Sequence, residues 1–427
     1  MRTRFCSSRG RDVLWVTVLM AVLVAGGCRS PDPAPAAPGS EQGTAPPPPA
    51  AAVPPPAPPP IQAYDKAVLS AATALFSNAK LPPESASPGG RYRVVIDPLI
   101  DGMTGAQTMA TKSMGERLAR MMRTQYPQYE VQPFSAATVA QGPLVLIGTF
   151  TGVNAQRQTS GPRQAYRICL ALADLRSGKL VSKGLAFALP EGVDPTPLPF
   201  FRDAPAWSED PATNGYIRTC QGTKAGDPIN PAYLERITSA ALVSEAIEAY
   251  DAGRYRDALD LYARVAATPT GKQFRVLNGI YLANLKLGRK DQASAAFDRI
   301  VDFGLENRRL AVKFLFRPGS TAFVQGGPLS ASYTGWLKAI ATQTASTAGT
   351  CLEVAGHTSA TGPEPLNERL SLLRAEYVRS RLDAASTGLG KRIIASGAGS
   401  TQMMIGNGRD DASDVLDRRV EFKVIGC

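Results

Sequence analysis

In the first half of the chain, some apolar residues cluster in short runs typical of strands, and others recur at the 3.6-residue spacing typical of an amphipathic helix. Runs rich in valine, isoleucine and leucine predict strands at 91–97, 144–149, 166–173 and 180–187. A 3.6-residue spacing predicts an amphipathic helix over 109–123, and 63–79 suits another helix. The inward residues of the 109–123 helix are Met114, Leu118, Met121 and Met122. Residues 61–225 are therefore predicted to be an α/β domain, which ends in a long proline-punctuated loop at 192–222.

Residues 226–308 contain an internal repeat with an offset of 35 residues. The segment 252–258, followed by Tyr262, recurs as 287–293, followed by Phe297. Both copies resemble tetratricopeptide units, and this resemblance implies helical hairpins that pack at a small residue. Two units are few for a separate stack, so a helix at 231–242 or the flanking domains must cover one end. The hairpins are expected to form either a peptide groove or a rigid spacer or dimer surface.

The C-terminal segment, 309–427, shows a strand and helix pattern of the order βαβαββ. Short β-rich runs predict strands at 311–316, 351–355, 392–396 and 419–424. Longer helical spacings predict helices at 330–342 and 366–382. In the first strand, the alternating residues expected to point inward are Val312, Phe314 and Phe316.

The helix at 366–382 has two neighbouring stripes of residues. The apolar stripe predicted to be buried consists of Leu366, Leu370, Leu373 and Tyr377. One residue further on, Asn367, Ser371 and Arg374 repeat the same spacing. We therefore expect Arg374 at the border of the core, half-sheltered and facing the loop before the helix. A planar guanidinium in such a place is suited to bind a carboxylate through two parallel hydrogen bonds.

The loop and the helix carry a recognisable combination of residues. The loop reads Gly-His-Thr-Ser over 356–359, and the helix has Asn367 followed by Leu-Ser-x-x-Arg-Ala over 370–375. This combination resembles the OmpA-like peptidoglycan-binding domain, whose usual form is GHTD followed by NxxLSxxRA. The segments 397–400 and 417–421 extend the resemblance over nearly all of 309–427. It implies a C-terminal α+β binding module and not an enzyme.

The resemblance also implies a ligand site. Arg374 would hold the carboxylate of diaminopimelate in the peptidoglycan stem peptide, with Thr358 and Asn367 beside it and Arg418 at the rim. The family's Asp, which balances the ammonium of the ligand, is Ser359 here. Losing one charge-assisted hydrogen bond weakens binding about 10- to 100-fold. Three alternatives stay open: weak wall binding persists, Glu364 supplies the missing charge, or the module has become a scaffold or takes another ligand.

The N-terminal segment indicates export. Four arginines and one aspartate precede an apolar run at 13–25, as in a signal peptide of 1–27. The run closes on Ala-Gly-Gly-Cys over 25–28, which resembles a lipobox, and this implies that Cys28 is lipidated. Arg29 in place of Asp favours the outer membrane, with the chain facing the periplasm. The alternative is an uncleaved anchor.

Residues 28–60 are predicted to be a linker. They contain 14 of the 35 prolines in the chain, so they favour extended polyproline II and form no core. At about 3.1 Å per residue, some 30 residues reach on the order of 90 Å. A lipid at one end and a wall-binding domain at the other would use such a reach, although an ordinary disordered leader has the same composition.

Four cysteines remain after the signal and the lipidated residue, and an even number is expected in an oxidising compartment. Of three possible pairings, the domain boundaries favour Cys169 with Cys220 and Cys351 with Cys427. The sequence contains no cluster of Cys and His residues of the kind that binds zinc, and no cofactor is predicted.

The net charge is +11, of which the signal carries +3. The charge is spread along the chain, which favours a solvated basic surface over a nucleic-acid site.

These features predict a multidomain outer-membrane lipoprotein that is not an enzyme. It would bind peptidoglycan through 309–427 and present 61–308 to an unidentified envelope partner. The alternative function is an envelope assembly or secretion scaffold. Hydrolase chemistry has little support, because His357 is the only histidine and no GxSxG segment occurs.

Overall fold

The computed structural model describes residues 59–81, 83, 89–161, 163–206, 210–326, 329–404, 406, 408 and 414–427. The predicted signal peptide, the predicted lipidation site Cys28 and the predicted linker as far as residue 58 lie outside these residues. In the described ranges, no helix combines the length and apolarity that crossing a membrane requires. The chain is multidomain with mixed α and β content, and its described parts pack into one compact unit.

The N-terminal part is built on a seven-stranded mixed sheet. Its strands are β1 (Ile61–Gln62), β2 (Tyr92–Ile96), β3 (Ile100–Asp101), β4 (Tyr129–Gln132), β5 (Leu144–Val153), β6 (Ala165–Asp174) and β7 (Lys179–Ala188). They lie in the order β1-β7-β6-β5-β2-β4, with β3 beside β5. The pairs β5/β6 and β6/β7 are antiparallel, and the others are parallel.

Helices cover both faces of this sheet. They are α1 (Tyr64–Ser77), α2 (Met109–Gln125), α3 (Ala136–Val139) and α5 (Pro211–Cys220). A further helix, α4 (Pro199–Asp203), lies between α3 and α5 in the chain, and its Phe200 and Phe201 belong to a different core. All ten residues of β5 are buried, as expected for a strand packed on both faces. One core lies against α1 and α2 and includes the four inward residues predicted for α2. A second core lies on the opposite face against α3 and α5.

The prediction of a continuous loop over 192–222 is wrong, because α4 and α5 lie in it. Each of these helices has a proline at its first position, Pro199 or Pro211. Proline is favoured there because its fixed φ suits a helix and its missing N–H group has no partner in the first turn. The Asp210 side chain caps α5 by accepting a hydrogen bond from Thr213 N at 2.9 Å. The prolines therefore mark helix starts.

Four helices follow, and each packs against the next. They are α6 (Pro231–Asp251), α7 (Tyr255–Ala266), α8 (Phe274–Lys286) and α9 (Lys290–Glu306). The repeated positions Ala258 and Ala293, with Tyr262 and Phe297, are all buried. A Cβ atom at Gly279 would lie 2.3 Å from the Tyr262 ring, so α7 and α8 meet at a contact that needs glycine.

The C-terminal part has the predicted order of strands and helices, with one short helix added. Its elements are β8 (Arg309–Val312), α10 (Tyr333–Ser346), β9 (Thr350–Gly356), α11 (Glu364–Ala385), β10 (Ile393–Gly397), α12 (Asp414–Asp417) and β11 (Val420–Gly426). The strand order is β10-β9-β11-β8. The first strand ends at Val312 and not at Phe316, although Phe314 and Phe316 are fully buried.

A single hydrophobic core joins the helices to the C-terminal sheet. Trp336 of α10 stacks on Phe297 of α9, with ring centroids 5.1 Å apart and planes 10° apart. Its indole N–H donates to the Tyr281 hydroxyl of α8 at 3.0 Å. The helical and C-terminal parts are therefore packed together through large aromatic side chains.

The four cysteines in the described part form two neighbouring pairs. Cys351 and Cys427 are joined by a disulfide that ties β9 to the residue after β11, with Cα atoms 5.1 Å apart. Cys169 and Cys220 are buried thiols. Their sulfur atoms donate to each other's carbonyl oxygens at 2.7 and 3.0 Å. A bond between Cys169 and Cys220 stays a prediction.

Candidate functional site

Helix α11 buries a different face from the one predicted. Its buried residues are Asn367, Ser371, Arg374, Ala375, Val378 and Leu382. Leu366 is 64 % exposed and Leu373 is 43 % exposed. The predicted apolar stripe is therefore wrong, and the polar stripe that carries Arg374 faces the sheet.

Glycines on two strands explain this orientation. A Cβ atom at Gly356 would lie 1.9 Å from the carbonyl oxygen of Ser371, and one at Gly397 would lie 2.7 Å from the Ser371 hydroxyl. The backbone of α11 thus rests directly on β9 and β10, and leucine side chains do not fit between them. Ser371 satisfies its hydroxyl there, since Oγ donates to Glu368 O at 2.7 Å and accepts from Gly399 N at 2.9 Å.

The side chain of Arg374 is 1 % exposed, so it is fully buried and not half-sheltered as predicted. Each of its three nitrogens donates to a backbone carbonyl: Nε to Ser320 at 3.1 Å, Nη1 to His357 at 3.0 Å and Nη2 to Arg317 at 3.2 Å. Its guanidinium carbon lies 5.1 Å from the centre of the Phe316 ring. The segment 316–320 therefore covers Arg374.

Arg374 remains a cation despite its burial. Burial, and then the neighbouring charge of Arg418, lower the pKa of Arg374 to about 10. Arg418 is itself 5 % exposed, so it lies beside Arg374 inside the protein and not on an open rim. Two cations close together favour a negatively charged neighbour at this point.

The other predicted ligand residues surround the same loop. Thr358 and Ser359 are each 3 % exposed, and Asn367 is 6 % exposed. Ser359 Oγ lies 2.8 Å from the hydroxyl of Thr361, and Asn367 Nδ2 donates to Gly362 O at 3.4 Å. Thr358 Oγ1 has no hydrogen-bond partner within the described ranges. Among these residues, Thr358 has the side chain that is least committed to the protein itself.

Glu364 does not take the place of the missing Asp. Its carboxylate accepts a hydrogen bond from Ser400 N at 2.9 Å and another, shorter one from the Ser400 hydroxyl. These bonds hold the start of α11 to the loop after β10. The predicted alternative in which Glu364 balances the ammonium of a ligand therefore has no support from the geometry.

His357 is buried at the end of β9, and within the described part of the chain both ring nitrogens lack partners. Burial, and then the charge of Arg419, lower the pKa of His357 to about 3, so the ring is neutral near pH 7. Arg419 is engaged by Glu421, whose Oε1 lies 2.9 Å from Nε and 2.7 Å from Nη2. His357 is therefore a buried, neutral side chain near the ion pair of Arg419 and Glu421.

The covering segment was missed from the sequence. A Pro318-Gly319 pair begins two positions after the last residue of the strand predicted at 311–316, and such a pair is a strong turn signal. The turn brings the carbonyls of Arg317 and Ser320 over the α11 guanidinium. Recognising the turn would not have revealed its target, because that contact spans more than 50 residues.

Comparison with known proteins agrees with this part of the fold. Residues 315–415 match the OmpA family, so the chain carries an OmpA family domain in this region. The chain is similar to the solved structure of the peptidoglycan-associated lipoprotein from Burkholderia pseudomallei, with 23 % identity over 28 % of this chain and 92 % of that one, at a TM-score of 0.24.

Two further solved structures are similar over about the same share of the chain. The cell wall anchor of the T6SS from Pseudomonas aeruginosa has 22 % identity over 31 % of this chain and 97 % of that one, at a TM-score of 0.24. The periplasmic domain of Helicobacter pylori MotB has 19 % identity over 28 % and 73 %, at a TM-score of 0.23. No curated protein sequence matches the chain.

Proposed function

We propose that the C-terminal domain binds peptidoglycan non-covalently and that the chain is an outer-membrane lipoprotein. In this proposal Cys28 carries the lipid, 28–60 is the spacer and 309–427 contacts the wall from the periplasmic side. The observation that supports it is the position of Arg374, inside an OmpA family domain and bonded to the loop that contains Thr358 and Ser359.

The proposed ligand group is the carboxylate of diaminopimelate in the stem peptide. An arginine has five N–H donors, and three of those of Arg374 bind backbone carbonyls. One donor on each terminal nitrogen is left, which suits the two oxygens of a carboxylate. Thr358 Oγ1 would add a neutral hydrogen bond. Access requires the segment 316–320 to move away from Arg374.

The alternative is an envelope assembly or secretion scaffold whose OmpA-like module has lost or changed its ligand. A specific observation favours it: all three nitrogens of Arg374 already bind the protein's own carbonyls, and Ser359 offers no charge. In that case Arg374 is a structural residue that holds 316–320 against α11.

We also propose that α6–α9 are tetratricopeptide-like hairpins that act as a rigid spacer and not as a peptide groove. Ten of the 13 residues of α8 are buried. Asn278 exchanges hydrogen bonds with the backbone of Ala206, and Tyr281 bonds Trp336. Helix α8, which would line a peptide groove, is therefore already covered by the segment at Ala206 and by Trp336 of α10.

Sedimentation of the purified full chain with isolated peptidoglycan sacculi tests the first proposal. Ser359→Asp restores the anion beside the site, and we expect it to raise retention about 10- to 100-fold. Arg374→Lys keeps a charge but not the paired donors, and we expect it to lower retention by a similar factor. Arg369→Ala is the matched control, because Arg369 is an exposed residue of the same helix.

The two functions differ in the outcome. If neither the wild type nor Ser359→Asp sediments with sacculi, the module is a scaffold and the peptidoglycan proposal is wrong. Circular dichroism of Arg374→Lys separates loss of binding from loss of folding.

A further inference from the structure

A cavity lies outside the OmpA-like motif, on the face of the large sheet that packs against α5. Its volume is about 400 Å³. Two neighbouring strands form its floor: Cys169 of β6 pairs with Leu185 of β7, so these residues and their neighbours two positions away share one face. Cys220 at the end of α5 and the segment 221–225 that follows it form the wall. The size lies within the usual range for small-molecule sites.

The charged residues that line this cavity all have one sign. Three cationic side chains line it, Arg167, Lys183 and Lys224, and no aspartate or glutamate is among the described lining residues. Cations gathered without acids in a concave, partly enclosed site raise the local concentration of anions. The cavity therefore has the electrostatics of an anion-binding site.

Two of the three cations are held in place with donors to spare. Lys183 Nζ donates to Thr223 Oγ1 at 2.9 Å and, at a shorter distance, to Cys220 O, which leaves one of its three N–H donors. Arg167 Nη2 donates to Gln221 Oε1 at 2.6 Å. The Nε atom of Arg167 is buried and has no hydrogen-bond partner within the described residues. Nε is therefore closed off from the cavity, and the donors that Arg167 can offer a bound anion are those of its terminal nitrogens, of which Nη2 already binds Gln221.

The rest of the lining is mainly apolar. Leu185 is 47 % exposed, and Gly184, Ala225 and the two thiols of Cys169 and Cys220 complete this side. The hydrogen bond with Cys220 lowers the pKa of the Cys169 thiol, and Lys183 and Arg167 act in the same direction against the effect of burial. The field of the two cations therefore extends across the cavity to the sulfur atom.

We propose that this cavity binds a small organic anion in which a carboxylate is joined to an apolar group. The carboxylate meets Lys183 and Arg167, with Lys224 at the entrance, and the apolar group lies against Leu185. A free acid and the last residue of a peptide both present this chemistry. The site is independent of the peptidoglycan proposal, because its residues belong to the N-terminal sheet.

Isothermal titration of the purified full chain tests this proposal with matched probes. N-acetyl-leucine has the carboxylate and the apolar group, whereas N-acetyl-leucinamide has the same shape without the charge. We expect the acid to bind at least about tenfold more tightly than the amide. Inorganic phosphate has the charge without the apolar group, and we expect it to bind more weakly than the acid. A pentapeptide ending in leucine is compared with N-acetyl-leucine. Tighter binding of the pentapeptide indicates a site for a peptide end, and tighter binding of N-acetyl-leucine indicates a site for a free acid.

Variants identify the cavity as the site. We expect Lys183→Met to lower the affinity for N-acetyl-leucine about 10- to 100-fold. Lys224→Met removes an exposed cation at the entrance and is expected to lower it several-fold even if Lys183→Met folds poorly. Lys179→Met is the matched control, because Lys179 is an exposed residue of the same strand outside the cavity lining.

Three results would overturn the proposal. Equal affinity for the acid and the amide, or no heat from either at millimolar concentration, rules out an anion site. If phosphate binds as tightly as N-acetyl-leucine, the apolar lining at Leu185 has no role in binding. Unchanged affinity in Lys224→Met together with Lys183→Met places the ligand elsewhere.

Discussion

Two arginines in this molecule, Arg374 and Arg167, differ in two respects: whether they lie in a sequence motif, and whether their side chains are open to a ligand. Arg374 lies in a recognisable motif, yet it is 1 % exposed and donates three hydrogen bonds to its own chain. Arg167 lies in no motif, yet it is partly exposed, lines a cavity of about 400 Å³ and makes one side-chain hydrogen bond, to Gln221. A motif thus fixes where an arginine sits in the fold, whereas spare donors and access decide whether it can bind a ligand.

The covering segments account for this difference. At Arg374, the turn at 317–320 brings two carbonyls within hydrogen-bond distance of the guanidinium. At Arg167, the segment after α5 contributes one side-chain amide, Gln221, and then leaves space in front of the strands. Four measurements test the contrast between a closed and an open arginine.

Removing the two arginine side chains should have the largest and most unequal effects. We expect Arg374→Ala to lower the free energy of unfolding by about 3–5 kcal/mol, because buried carbonyls lose their donor and a cavity remains. Arg167→Ala should cost less than about 1 kcal/mol, since its side chain is partly exposed and makes one hydrogen bond. Urea unfolding followed by Trp fluorescence measures both. Equal losses would mean that the contrast is wrong.

A methyl group under α11 should disturb the closed arginine from below. Gly356→Ala places a Cβ atom 1.9 Å from Ser371 O, a backbone atom that cannot move without lifting the helix. We expect a loss of about 2–3 kcal/mol in unfolding free energy, as for other overpacked cores. Gly426→Ala, on β11 with open space around it, is the control and should stay within about 0.5 kcal/mol.

Acid should weaken the region around Arg374 through His357. The pKa of His357 is lowered to about 3 in the folded protein, while the unfolded chain titrates near 6.5. Between these values the unfolded state binds the extra proton, so stability decreases as pH falls, by up to about 1.4 kcal/mol per pH unit. Below about pH 3 this contribution is fully lost.

The variant His357→Leu isolates that proton. Glu421, whose pKa is lowered to about 2 by Arg419 and His357 against the effect of burial, also loses stability in acid, with the same sign. Because His357 also acts on the pKa of Glu421, the quantity to compare is the difference in slope between the wild type and His357→Leu over about pH 5–6, above the range in which Glu421 titrates. Identical slopes would show that His357 is not the group that titrates. The backbone carbonyl that holds Arg374 is unchanged by this substitution.

The smallest effect should come from the leucines that were predicted to be buried. We expect Leu366→Gln and Leu373→Gln to change the unfolding free energy by no more than about 0.5 kcal/mol, because both side chains are largely exposed. Leu382→Ala, at a fully buried position of the same helix, should cost about 2–5 kcal/mol. A large loss on changing Leu366 would restore the predicted stripe.

The sequence predicted helices and strands better than it predicted the long-range contacts between them. Four of the seven strands of the large sheet, helix α2 and the order of elements in 309–427 follow from local periodicity, which depends on neighbouring residues only. The short strands β1, β3 and β4 were not predicted. The repeats were also visible, since Ala258 and Tyr262 recur as Ala293 and Phe297. Helices α4 and α5 were missed because proline at a first helical position looks the same in sequence as proline in a loop.

The buried face of α11 could not be predicted from hydrophobicity. Leucines suggested one face, but Gly356 and Gly397 on two other elements select the face with small side chains, Ser371 and Ala375. The cover over Arg374 and the cation-lined cavity share this property. Each depends on residues that are distant in sequence, so no local pattern contains them.

The bond between Cys351 and Cys427 has a topological consequence. Its partners are 76 positions apart, so 352–426, with α11 and the whole motif, becomes a closed covalent ring. On the loop-entropy view, such a closure is worth about 4 kcal/mol to the folded state. A single protease cut within this ring leaves both pieces attached to the rest of the chain, and they separate on a denaturing gel only after a reductant has been added.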